Sequence, residues 1–347
     1  MTSHKDRGDT IRRQILRDVK HHPRDIVKHI ANIFSITPQA VSRHINKLEH
    51  DGYLVSSGVG KGKNYSLGDI RNNSVIFEIT NNLAEDKIWR EHFAYIFDGL
   101  AENIKDICHY GFTEILNNAI DHSDGNNVFI YVSREADDIK ILIADDGEGI
   151  FKRIKRLFNL SDERQSLLEL SKGKLTTDPD NHSGEGIFFT SRAFDKFTID
   201  SLGVMFSHDG EHPYDFIHEI ECSHNDKIST LVVMQISRSS ETTIKEIFDR
   251  FTDSKDSYRF DKTVIPVRLA LYENEKLISR SQAKRLLTRI ERFNNVVFDF
   301  EGVPSIGQAF ADEVFRVYAN KNPHITMATC NMTEEVANMV NRAKNNN

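Results

Sequence analysis

Apolar residues return at helical intervals three times within the first fifty positions. In "IRRQILRDVK", Ile11, Ile15, Leu16 and Val19 share one face, and in "PRDIVKHIANIF" Ile26, Ile30 and Ile33 do so behind Pro23, a good first-turn residue. "SITPQAVSRHINKLEHDG" predicts a third helix with Thr37 as N-cap, Pro38 at the first helical position and Gly52 as its stop. Val41, Ile45 and Leu48 form its apolar side, which leaves Gln39, Ser42, Arg43, Asn46 and Lys47 facing outward. The period then shortens: "YLVSSGVGKGKNYSL" predicts two short strands joined by a glycine-rich tip that carries Lys61 and Lys63.

Further along, "YGFTEILNNAIDHS" places Phe112, Ile115, Leu116, Ala119 and Ile120 on one side of a helix. Glu114, Asn118 and Asp121 stand at i, i+4 and i+7 and share another side. "IADDGEGI" follows as an apolar lead-in to an acidic, glycine-broken turn, and "NHSGEGIFFTSRAFDKF" opens a phenylalanine-rich helix with Gly184 and Gly186. Towards the end, "VVFDFEGV" and "HITMATC" predict strands. "GQAFADEVFRVYANK", with Phe310, Val314, Phe315 and Val317 inward, and "TEEVANMVNRA", capped by Thr333, predict helices. Strands alternating with helices imply a small α/β unit over residues 263–345, reached through a polar, partly helical hinge at 241–262.

Length and charge sharpen this division. A chain of 347 residues is too long for one ordinary domain. Residues 1–68 hold 12 Lys and Arg against 6 Asp and Glu, a net of +6; the whole chain is −7, so residues 69–347 carry −13. A basic head on an acidic body points to a polyanionic partner for the head alone. No apolar run approaches the roughly 18 residues of a membrane span, and "MTSHKDRGDT" is not a signal peptide. Cys108, Cys222 and Cys330 lack any CxxC spacing, so neither a zinc site nor a disulfide framework is implied. A cytoplasmic protein without membrane partners is expected.

Taken singly, the chemical motifs leave alternatives open. The triplet Glu114, Asn118 and Asp121 is either a solvated face or a set of oxygen donors of the kind that magnesium accepts alongside water and phosphate. A Gly-x-Gly at a helix start brings backbone N–H groups close to phosphate. Together, and in this order, Glu-x-x-x-Asn-Ala-x-Asp, Asp-x-Gly-x-Gly and Gly-x-Gly-Ile resemble the nucleotide site of the GHKL superfamily over roughly residues 85–238. The resemblance implies a Bergerat-type α/β sandwich that binds ATP with Mg2+. Asp145 would accept the adenine amino group, Gly147 and Gly149 would let the backbone pass the base, and Asn118 would ligate magnesium. Glu114 would act as general base and Asp121 would fill the second acidic position. Gly184 and Gly186 would meet the phosphates, and Thr230 would stand in the last strand, where Ser229 replaces a usual glycine. Leu170–Ser183 would form a mobile lid whose Lys172 and Lys174 neutralise the β- and γ-phosphates.

The head resembles a winged helix-turn-helix of bacterial transcriptional regulators, carried by "AVSRHINKLEHDGYL". That implies double-stranded DNA as partner, with Gln39, Ser42, Arg43, Asn46 and Lys47 at base edges and phosphates and Lys61 and Lys63 at the wing tip. Residues 278–316 resemble STAS-like domains of unknown function, distant relatives of anti-sigma-factor antagonists. The antagonists' Asp-Ser is replaced here by Gly307-Gln308, with Ser305 two residues early, so docking to a protein partner or self-association is expected in place of a phospho-switch.

The expected fold class is therefore multidomain α+β: a winged helix-turn-helix at 1–69, a GHKL domain at 70–240, a linker at 241–262 and a STAS-like domain at 263–345. Three functions follow from the resemblances: an ATP- and DNA-binding regulator with slow Mg-dependent ATPase activity, a DNA-acting ATPase in genome or phage defence, and an anti-sigma-type protein serine kinase.

Overall fold

The computed structural model describes residues 4–80, 82–175, 184–209, 216–219, 228–254, 257–271 and 276–345. It opens with three helices, α1 (His4–Asp18), α2 (Ile26–Phe34) and α3 (Pro38–His50), and an antiparallel hairpin of β1 (Leu54–Ser57) and β2 (Asn64–Leu67). Ile11, Ile15, Leu16, Val19, Ile26, Ile30, Val41, Ile45, Leu48 and Leu54 form one closed core, as their spacing implies. The Thr37 hydroxyl accepts the Ala40 N–H at 3.2 Å, and Gly52 takes φ +78° where α3 gives way to the hairpin. Ile33 departs from the expectation and is 49% exposed. Helix α2 ends one residue later with Ser35 in the left-handed region, and Phe34 and Ile36 cover the core instead.

The central unit is built on β3 (Arg71–Glu78), α4 (Glu85–Ile88), α5 (Glu102–His122), β4 (Asn127–Arg134) and β5 (Asp138–Asp145), then α6 (Ile150–Phe158), α7 (Glu163–Lys172) and α8 (Gly186–Ala193). Strands β6 (Lys196–Ser201), β7 (Val204–Asp209), β8 (Phe216–Glu219) and β9 (Thr230–Ser237) complete a seven-stranded sheet ordered β3-β4-β5-β9-β6-β7-β8, each neighbouring pair antiparallel. The last strand in sequence thus lies between β5 and β6, with Thr230 directly opposite Asp145. Burial alternates strictly along β9, the signature of a sheet covered on one face. Gly111 on α5 is required by that cover, because a Cβ there would collide with the ring of Phe194.

The segment expected as a polar, partly helical hinge contains a helix and a hairpin and packs against the central unit. Helix α9 (Ile244–Arg250) begins with a reciprocal capping box between Thr243 and Glu246, and β10 (Thr252–Ser254) pairs with β11 (Ser257–Phe260). Phe248, Phe251 and Phe260 interlock with Phe188 and Phe189 of α8, with ring centroids 4.3–6.1 Å apart. Burial of these phenylalanines makes the central and C-terminal cores continuous.

The C-terminal unit is a three-stranded parallel sheet of β12 (Lys262–Pro266), β13 (Asn295–Asp299) and β14 (Thr326–Cys330). Around it lie α10 (Arg280–Leu287), α11 (Gln308–Asp312), α12 (Ala319–Lys321) and α13 (Glu334–Asn345), with a π-helical turn joining α11 to α12. Phe310, Val314 and Phe315 face inward as expected, Val317 is half-buried, and the Thr333 hydroxyl accepts the Val336 N–H at 3.2 Å. Among the described residues no helix is long and apolar enough to cross a membrane.

An ion pair sits inside the junction of these two units. Lys172, 1% exposed, donates to Glu169 at 2.7 Å and to the carbonyl of Thr288 at 2.8 Å, while its own carbonyl accepts the Thr263 hydroxyl at 2.8 Å. Desolvation pushes the ammonium down and the Glu169 carboxyl up, each opposed by the other's charge. Removing one partner strands the other, so Lys172→Met is expected to cost about 3–5 kcal/mol in urea unfolding, and adding Glu169→Gln to recover part of that loss. A Lys172→Met protein of wild-type stability would contradict this account.

Candidate functional site

Helix α5, strand β5, helices α6 and α8 and strand β9 enclose a cavity of about 360 Å³. Glu114, Asn118 and Asp121 line it from one face of α5, Asp145 from the end of β5, and Thr230 from the start of β9. Gly149 and Gly186 line it from the starts of α6 and α8 and Gly184 from just before α8, while Ile115, Ile143, Ile150, Ile154 and Val232 supply an apolar wall. Residues from four separated stretches therefore converge, because α5 crosses the sheet where β5 and β9 pair.

Close backbone approaches shape this cavity. A Cβ on Gly147 would collide with the Ser123 carbonyl, which itself accepts the Glu148 N–H at 2.8 Å. Gly149 takes φ +90° and lies against Leu202 and Ser201. Gly186, the first residue of α8, abuts the Glu114 carboxylate so closely that any side chain would displace it. These glycines are needed for proximity, and at Gly149 for backbone conformation too.

Asp145 is the electrostatic centre of the site. It is 8% exposed, its Oδ1 accepts the Gly147 N–H at 3.0 Å, and its carbonyl accepts the Ser229 N–H at 2.9 Å. Burial pushes its pKa up to about 6, against the opposing hydrogen bonds from Gly147 and Thr230. The Ser229 N–H thus ties the start of β9 to the end of β5, and the Thr230 hydroxyl accepts the Ile150 N–H at 3.2 Å. Asp146 lies outside, held by the N–H groups of Asn126 and Asn127.

The two lysines expected at the phosphates are elsewhere. Lys172 ends α7, where Gly173 at φ +80° terminates the helix, and is buried under the C-terminal unit. Lys174 donates to the Arg292 carbonyl at 3.0 Å, pairs with Asp261 at 3.6 Å and lies 4.8 Å from the Phe293 ring centroid. The apolar run before "SKGK" carries the chain into the core instead of out into a loop. Residues 176–183 of the expected lid lie outside the described residues.

Among the described lining residues, the Lys or Arg is Arg153, one turn past Gly149 and ion-paired with Asp124. Sequence reasoning passed over it and Phe158, although both continue the face begun by Ile150. Among the described residues no group of three or more His, Cys, Asp or Glu could hold a metal by itself. An Asn118 carboxamide with carboxylates in the same cavity fits a cation that keeps most of its water and phosphate ligands.

On α3, Gln39, Arg43, Asn46 and Lys47 are exposed, and the half-buried Ser42 donates its hydroxyl to the Pro38 carbonyl at 3.0 Å. Lys63 folds back, 3.3 Å from Glu49 and 4.7 Å from the Tyr65 ring centroid, so it does not extend from the hairpin as expected. The side chain of Lys61 lies outside the described residues.

A larger cleft of about 740 Å³ lies between β6 and β7 and the C-terminal unit. None of the expected site residues lines it, and some of its polar groups pair with one another, Gln235 with Asp138 at 2.8 Å and Lys196 with Asp209 at 3.9 Å. The smaller cavity is the one with convergent chemistry.

Residues 282–337 match the family model of the STAS-like domain of unknown function (DUF4325), a span that runs from α10 into α13. Comparison with curated proteins gives no match.

Burial of Asp145 has a pH signature. Its folded pKa lies above the unfolded value of 3.8, so the folded chain holds the proton more tightly and this group's contribution falls as pH rises from about 4 through about 6. Asp145→Asn is therefore expected to stabilise the ligand-free protein by about 1–3 kcal/mol at pH 7–8 and by little below pH 4. Thermal unfolding over that range checks it; an equal effect at both ends would remove the charge as the cause.

Proposed function

We propose that this chain is an ATP-binding, DNA-binding regulatory protein in which a GHKL-type pocket gates a winged helix. The supporting observation is the convergence of Glu114, Asn118, Asp121, Asp145, Gly149, Gly184, Gly186 and Thr230 on one cavity with a buried carboxylate at its floor. A buried acceptor facing the 6-position of a purine would favour adenine, which has an amino donor there, over guanine, which has a carbonyl. The apolar wall of Ile143, Ile150 and Ile154 accommodates the flat base. Asn118 would hold Mg2+, which when bound neutralises phosphate charge. Glu114, against the start of α8, would orient a water for slow hydrolysis, a role its contact with the glycine at that helix start supports. With Lys172 and Lys174 withdrawn, Arg153 is the pocket's described cation for the ligand's negative charge.

Calorimetry tests the pocket. Asp145→Asn is expected to lose ATP affinity on the order of 2 kcal/mol or more, and wild-type affinity is expected to fall below pH 6, where Asp145 takes up its proton. Asn118→Ala should lose the magnesium-dependent part of binding, whereas Glu114→Ala should bind Mg-ATP and lose turnover. Unchanged ATP binding in a folded Asp145→Asn protein would sink the assignment.

In the head, α3 presents Gln39, Arg43, Asn46 and Lys47 outward, the residue types that read base edges and grip phosphates in a major groove. The STAS-like segment is the docking surface for a protein partner or a second copy. Gating requires ATP to favour one arrangement of these units over another. Fluorescence anisotropy over a salt series, with and without a non-hydrolysable ATP analogue, measures both properties. Lys47→Ala is expected to lower the slope of log affinity against log salt by about 0.9, and Arg43→Ala to cost roughly 1–3 kcal/mol of site discrimination. Identical curves in both nucleotide states would remove the gate; absence of duplex binding would remove DNA as the partner.

A further inference from the structure

Arg289 belongs to the C-terminal unit, in the turn after α10, and its backbone lies in the left-handed region at φ 64°. A non-glycine residue is held there only where its surroundings over-determine it. Its guanidinium meets three elements of the central unit at once. The carbon centre stands 4.3 Å from the centroid of the Phe158 ring, Nη2 donates to the Lys174 carbonyl at 3.1 Å, and Nε lies 3.7 Å from Glu169. The side chain is 14% exposed, so these contacts are little screened by water.

Two of those contacts reach the cavity wall. Phe158 lines the cavity from the end of α6. Gly173 and Lys174 both take positive φ, +80° and +54°, which turns the Lys174 carbonyl outward to Arg289 and to Arg292 at 2.9 Å. The next residue, Leu175, lines the cavity and donates its N–H to the Gly184 carbonyl at 3.0 Å, which holds Gly184, another lining residue, against it. A planar fork that stacks by its face and donates from its edge suits this position; a lysine's single ammonium cannot cover the ring and reach the carbonyl and carboxylate at the same time.

We infer that Arg289 is a positioning residue through which the C-terminal unit fixes the spacing between α6 and the Leu175–Gly184 bridge, and so sets the pocket's affinity for nucleotide. The inference rests on the nucleotide reading of that cavity. It makes the STAS-like segment a structural part of the pocket's wall, so a partner that shifts Arg289 alters nucleotide binding, and nucleotide alters the partner surface by the same factor.

Calorimetry with a magnesium-bound non-hydrolysable ATP analogue and amide hydrogen exchange on the full chain test this together. Arg289→Ala is expected to bind the analogue about tenfold more weakly, a typical coupling, with faster exchange over residues 170–175 before ligand is added. In wild type the analogue should slow exchange over residues 285–293; in Arg289→Ala that response should disappear. Arg289→Lys, which keeps a charge beside Glu169, should melt with wild type yet bind as weakly as the alanine variant. Arg292→Ala, an exposed change, should show a smaller loss of the same sign. Wild-type affinity and unchanged exchange over 170–175 in Arg289→Ala overturn the inference. If wild type binds no adenine nucleotide, the reading of the pocket fails on its own. The exchange of 170–175 in Arg289→Ala then decides separately whether Arg289 holds this wall.

Discussion

A carboxylate kept 8% exposed at the end of a strand is a cost to the fold, and the site is organised around that cost. Asp145 has partners that partly offset it, from the Gly147 N–H and from Thr230, but burial still outweighs them. Thr230 can reach it only because β9 returns to lie between β5 and β6, and Gly147 only because the chain passes against the end of α5 without a side chain. Sheet order, helix crossing and glycine placement thus serve one charged group. A fold selected for stability alone would have placed an apolar or amide side chain there.

Local periodicity made the head legible. Ile11, Ile15, Val41 and Ile45 each fall on the buried side that a 3.6-residue period assigns, and Thr37 with Pro38 marks the helix start by its own backbone chemistry. The polar face of α5 was equally readable, since Glu114, Asn118 and Asp121 needed only helical spacing to fall together. The sheet order was not readable, because pairing β5 with β9 joins residues 85 to 99 positions apart and depends on long-range packing. Lys172 and Lys174 were misplaced for a related reason. "SKGK" has loop composition, but Glu169 three residues before Lys172 supplies a buried counter-charge, and the apolar run of Leu167, Leu168 and Leu170 draws the helix inward. That carboxylate within an apolar run was the available signal.

The segment at 241–262 carries the same lesson at the scale of domains. Its polar composition suggested a hinge, yet phenylalanines at 248, 251 and 260 place it in the core. Asn103 of α5 fixes its approach by donating to the carbonyls of Ser240 and Thr242 at 2.8 and 3.0 Å. Central and C-terminal units therefore move together or exchange a whole packed surface; small independent rotations would break aromatic contacts.

The head is joined differently. Its core is separate from the larger one, and only three residues separate the end of β2 from the start of β3. Asp69, within that stretch, is bracketed by Arg134 at 2.7 Å and Arg238 at 3.1 Å, which hold its carboxyl below the usual range. Tyr95 packs against both cores, the Tyr53 hydroxyl accepts from Asn72 Nδ2 at 2.8 Å, and Lys20 pairs with Asp98 at 2.9 Å. Apart from Tyr95 and the buried Arg134, these links are polar, partly exposed and individually weak, unlike the aromatic seam behind α8. A change in the sheet is therefore more cheaply accommodated by breaking the head's contacts than by parting the other two units. Any nucleotide-dependent motion should appear first at the Asp69 clasp, where strands β4 and β9 end against the short connection that carries the outward face of α3.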